Sequence, residues 1–143
     1  MNHSKLIVRL IVLFLVSGGA GFTRSFSTTL TEEQEKALTG AMEELTDPVK
    51  RQENLKKDKK AAESDELVKE VGGEFSEEIY QLAAKVMETV ASDAKGDPDK
   101  MEKILNKAAK DPASFAKTFS KDQKKILKQL GEKIERSKKP AIH

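Results

Sequence analysis

The sequence predicts an all-α protein: a small helical bundle of about four to six helices, with a polar helical or partly disordered N-terminal half. Three observations predict it. Asp-Pro pairs at 47–48, 97–98 and 111–112 are helix starts, because aspartate caps and proline suits the first helical position. Thr31, Ser76 and Ser120 stand where N-caps belong, and Gln34 and Gln123 follow two of them at capping-box spacing. Apolar residues then return at three- and four-residue intervals. Aromatics are only 5 % of the chain, tryptophan is absent and Tyr80 is the sole tyrosine, which suits a β-sandwich badly.

The chain opens on a basic segment carrying Lys5 and Arg9, an unbroken apolar run at 10–16, and a small-residue stretch at 17–21. That order is the order of a secretory signal peptide, with cleavage expected after Ala20 or after Ser27. Two other assignments compete. The stretch at 24–29 resembles the cleavage region of a mitochondrial presequence, and residues 1–31 hold no acid. A retained anchor needs about 20 apolar residues, more than this segment has. The expected division is a targeting segment at 1–27, a polar helical or linker region at 28–73, a compact bundle at 74–137 and a disordered tail at 138–143.

After the leader, a capping box at Thr31 and Gln34 starts a helix over about 32–45, with Ala37, Leu38, Ala41, Met42 and Leu45 on one face. Asp47 and Pro48 restart the chain. Between Val49 and Leu67 only Leu55 is large and apolar, so 48–66 is a solvated helix or a disordered linker. Gly72 and Gly73 break the chain. Ser76 is expected to cap the strongest helix, with Phe75 stapled onto Tyr80. Ile79, Leu82, Ala83, Val86, Met87, Val90 and Ala91 form its buried face, and Gly96 ends it. Two shorter helices follow, with Met101, Ile104, Leu105 and Ala108 inward on one and Phe115 and Phe119 on the other. The last helix buries Ile126, Leu127, Leu130 and Ile134. Gly131 weakens that stripe by about 1 kcal/mol relative to alanine. The cap signals recur at 31, 76 and 120, a spacing that either marks a repeated hairpin or is what any capped amphipathic helix looks like.

The stretch Leu30, Thr31, Glu32, Glu33, Gln34 matches the LTxxQ motif, and Phe119, Ser120 and Gln123 form a degenerate second copy. In this the chain resembles a family of small periplasmic helical proteins. The resemblance implies an exported helical protein, chaperone-like or serving the envelope stress response, and acting through protein partners.

Charge is unevenly spread. Residues 32–99 hold ten basic and nineteen acidic residues, whereas 100–143 hold thirteen basic and five acidic. With no cysteine, disulfides, thiolate catalysis and cysteine-ligated metals are excluded. His3 and His143 are the only histidines, so no histidine-based catalytic or metal site is expected in the core. Paired acids at 32–33, 43–44 and 77–78 point to different sides of a helix. The aspartates at 93, 97 and 99 fail a calcium loop, because Lys95 stands at a ligand position and Pro98 where glycine is needed. Catalytic, cofactor-binding and metal residues are therefore expected to be none, and the chain is not expected to be an enzyme.

One surface has chemistry to offer. Lys121, Lys124, Lys125, Lys128, Lys133, Arg136, Lys138 and Lys139 surround the apolar face of the last helix, a pattern that suits an anionic membrane or polymer. Nucleic acid is disfavoured, since no aromatic interleaves these residues. The expected function is an exported helical binding protein, periplasmic or secreted, that holds a protein partner. The alternatives are an anionic-surface binder and a mitochondrial accessory subunit. A homo-oligomer fits any of these.

Overall fold

Aspartate side chains fix where the helices begin. In the computed structural model, which describes residues 3–17 and 32–139, helix α1 spans His3–Ser17 and α2 spans Glu32–Thr46. Asp47 accepts from the backbone N–H groups of Val49 and Lys50 and starts α3, Pro48–Leu55. Asp58 does the same for Lys60 and Ala61 and starts α4, Lys59–Gly72. A single 3₁₀ turn, Gly73–Phe75, leads into α5, Ser76–Asp93. Asp97 caps α6, Pro98–Lys110, Asp111 caps α7, Pro112–Lys117, and Ser120 caps α8, Lys121–Lys138. Every element among the described residues is a helix, in keeping with the all-α expectation.

The polar stretch at 48–66 is thus two short helices. The break falls at Asp58, an aspartate start without the proline that follows Asp47, Asp97 and Asp111. The aspartate oxygen satisfies backbone donors that a helix N-terminus otherwise leaves orphaned. Ser120 and Gln123 make both bonds of a capping box. Thr31 lies outside the described residues, so its box is not placed.

The cap expected at Ser76 is corrected. Ser76 is already helical, with φ −56° and ψ −40°, and its hydroxyl donates to the Gly73 carbonyl. The cap position falls on Phe75, which makes no side-chain cap bond, so the staple of Phe75 onto Tyr80 loses its geometry. The 3₁₀ turn explains the difference: Gly73, at φ +54°, turns the chain tightly enough to feed straight into the next helix. The cap signals at 76 and 120 therefore do not share one geometry. At the other end of α5, Lys95 and Gly96 both take positive φ, and the Gly96 N–H reaches back to the Ala91 carbonyl.

The core is a continuous cluster. From α5 it takes Ile79, Tyr80, Leu82, Ala83, Val86, Met87 and Val90; from α6, Met101, Leu105 and Ala108; from α8, Leu127, Leu130 and Ile134. Phe119 is buried and meets Phe115 edge to face, ring centroids 5.3 Å apart. Each such large side chain contributes about 1.5–3 kcal/mol by leaving water. The cluster also takes Ile7, Val8, Ile11 and Val12 from α1, Leu45 from α2 and Val68 from α4.

Candidate functional site

Helix α1, the segment with the composition of a leader, sits inside the bundle. It packs against α4, α5, α6, α7 and α8. Ile7, Val8, Ile11 and Val12 are at most 2 % exposed, while Lys5, Arg9 and Leu13 face out. Those three lie four residues apart, so they share one face of the helix. The segment is therefore amphipathic in a narrow sense: a cationic stripe along an otherwise apolar rod. The two basic residues at the front gave that signal at i,i+4 spacing, and sequence reasoning treated them only as a charged leader start. No helix among the described residues is long and apolar enough to cross a membrane. The cleavage positions expected after Ala20 and Ser27 lie outside the described residues.

A close approach along this seat is at Gly131 of α8. A Cβ added there would lie 2.7 Å from Ser4 Oγ and 3.5 Å from the Ser4 backbone nitrogen. Two helices come this near only where small residues meet. The glycine that costs α8 helical propensity is thus used where α1 crosses it. Beside the seat, Arg9, Val12 and Leu13 line a cleft of about 300 Å³ with Ala109 and Pro112.

A second cluster joins α3, α4 and α5. Arg51, 3 % exposed, donates from Nη1 to the Leu45 carbonyl at 3.1 Å and from Nη2 to Glu77. Its guanidinium lies 3.8 Å from the centroid of the Tyr80 ring, close enough for a cation–π contact. The Tyr80 hydroxyl donates to Asp65, which also pairs with Lys69. Burial, then the bond to Asp65, pushes the Tyr80 phenol far above its ordinary value of 10, because both disfavour a second negative charge. Arg51 Nε has no hydrogen-bond partner among the described residues. Charged groups so placed lock packing and register; none of them opens onto a cavity described above. Sequence reasoning missed this cluster because Arg51 and Asp65 stood in a run of charge taken as solvated.

The lysines predicted on α8 divide into two groups. Lys133 pairs with Glu78 at 2.9 Å and lies 5.6 Å from the Phe75 ring centroid. Lys138 donates to the Glu70 carbonyl at 3.5 Å, and Lys139 lies 3.7 Å from Glu135. These three serve the fold or their own helix. Lys121, Lys124, Lys125, Lys128 and Arg136 are exposed and make no ion pair among the described residues. On the opposite face Gln123 is buried, donating to the Lys85 carbonyl at 3.1 Å and to Thr89 Oγ1 at 2.8 Å, which seats α8 on α5.

Among the described residues no group of three or more acidic or histidine side chains is gathered to hold a metal ion. What the arrangement offers chemically is a long apolar seat for a helix and a lysine-rich outer face. No protein-family model, no curated protein and no solved structure matches this chain.

Proposed function

We propose that this chain is an exported helical binding protein that holds apolar segments of a protein partner, in the manner of a chaperone or an envelope-stress accessory. One observation carries the proposal: five helices close around an apolar helix that crosses α8 at a glycine. A bundle with that seat binds helices, and it does so by burying area rather than by chemistry on bonds. The signal-peptide order of residues 1–21 supports export to the periplasm or beyond, and the LTxxQ resemblance supports a protein partner there.

The test has two parts. Native protein is cross-linked, purified and its mature N-terminus sequenced; a start near 21 or 28 in an envelope fraction, with a stoichiometric protein partner, is expected. Purified protein is then added to an unfolding client. Suppressed light scattering is expected at equimolar ratio, and unchanged scattering with no cross-linked partner would overturn the proposal. The second reading, an anionic-surface binder, is favoured by the set Lys121, Lys124, Lys125 and Lys128, exposed and without an ion pair among the described residues. Its mark is vesicle binding that falls steeply between low and physiological salt.

A further inference from the structure

We infer that the seat enclosed by α4–α8 is a receptor for an apolar helix of about four turns, that α1 is its occupant in cis, and that a partner's helix of the same chemistry takes the seat once α1 leaves. The inference rests on the protein-binding proposal and names its site and ligand. Three observations identify the ligand. The occupant is 15 residues long, His3–Ser17, which sets the length. Its buried side is Ile7, Val8, Ile11 and Val12, which sets the apolar character. Its small residue Ser4 meets Gly131, where an added Cβ would lie within 2.7 Å, which sets a small residue at the crossing. The outward face carries Lys5, Arg9 and Leu13, so a ligand tolerates polar residues on that face toward its N-terminal end.

The seat has the economy of an intramolecular plug. An occupant in the same chain meets the seat as an intramolecular partner, and a free helix must compete against it. A partner helix therefore enters slowly while α1 is attached and freely when it is gone. Removing a leader then does two things: it releases the chain, and it opens the site.

The full-length chain tests this with a fluorescent peptide of residues 3–17. In wild type, α1 competes, and uptake is weak. In Ile11→Asp a carboxylate is placed where a side chain is 1 % exposed, α1 is expelled, and peptide uptake is expected to rise at least tenfold and saturate at one per chain. A peptide with leucine at the position of Ser4 binds at least tenfold more weakly. The chain has no cysteine, so Ser4→Cys with Gly131→Cys gives a clean lock: oxidation by diamide closes one intrachain disulfide and blocks uptake, and reduction restores it.

Helical signal lost throughout Ile11→Asp, or a folded Ile11→Asp that takes no peptide, overturns the inference and makes α1 a permanent core helix. Equal binding of the two peptides overturns it as well. Client protection that survives the disulfide lock leaves the protein-binding proposal standing and removes the seat as its site. Client protection absent in every form, with peptide uptake intact, overturns the broader proposal alone.

Discussion

The two halves of the core hold together by different means. Around α1 the packing is largely dry: Ile7, Val8, Ile11 and Val12 enter the common apolar cluster, Ser4 meets Gly131, and Lys5 and Arg9 stay on the outer face. At the junction of α3, α4 and α5 it is polar: Arg51 on the face of Tyr80, Tyr80 on Asp65, Asp65 on Lys69. Apolar contact is non-directional, so the α1 seat rewards any occupant of suitable shape. Hydrogen bonds and ion pairs are directional, so the polar junction accepts one arrangement of the weakly apolar helices α3 and α4 on α5. The difference separates a region suited to exchange from a region suited to stay fixed.

The comparison can be broken first in the dry half. Leu130, fully buried on α8, is expected to cost about 2–5 kcal/mol on substitution by alanine, from lost transfer energy and the cavity left behind. Chemical denaturation of Leu130→Ala measures it, and a loss below 1 kcal/mol would mean that this side of the core relaxes freely. In the polar half, Asp65→Ala removes the bond that the Tyr80 hydroxyl donates to Asp65, and a loss of about 1–3 kcal/mol is expected. The double change with Tyr80→Phe should then cost less than the sum of the single changes, since the two residues share one interaction. Strict additivity would show that the bond contributes nothing.

Alkaline pH separates the halves without a core deletion. Burial and Asp65 hold the Tyr80 phenol above the value of the unfolded chain, near 10. Its contribution to stability is therefore complete below pH 10 and is lost as pH climbs above it. Tyr80 is the only tyrosine and tryptophan is absent, so absorbance at 295 nm reports this phenol alone. Tyrosinate should form only as the helices melt, and Tyr80→Phe should flatten the alkaline fall in stability. Smooth ionisation near pH 10 in a folded chain would mean that the junction is open to water.

Smaller effects sharpen the contrast at the surface. Ser120→Ala removes the cap of α8 and should cost about 1 kcal/mol in thermal unfolding, with Ser120→Gly costing less. Lys124→Gln with Lys125→Gln should change stability by less than about 0.5 kcal/mol. The same pair should weaken binding to anionic vesicles if α8 serves a surface, and leave client protection untouched if it does not.

Much of this was legible in the sequence, and the reasons are local. Asp47, Asp97 and Asp111 announced helix starts because the aspartate cap and the following proline act within one turn. The stripes of α5, α6 and α8 were legible because burial follows the 3.6-residue period. Ser76 misled because a serine before two glutamates looks like a cap whether or not the chain is still turning from Gly73. The seat of α1 was hidden for another reason. An apolar run with a basic start has the same composition whether it serves as an address or as a packing element. Only Gly131, a helix-weakening residue in a buried stripe 127 positions from Ser4, hinted at a close neighbour, and a single glycine does not name its partner.

The order of the chain gives α1 one more property. Among the described helices it comes ahead of all the others in the chain, whereas α6, α7 and α8, three of the five that enclose it, follow the rest. At roughly 5–20 residues per second, on the order of ten seconds pass between the emergence of α1 and that of α8. Through that interval the apolar rod has no shelter from the helices that follow it. Late closure thus sets an interval in which the rod can meet other apolar surfaces, and ends it by burying the rod in the chain's own fold.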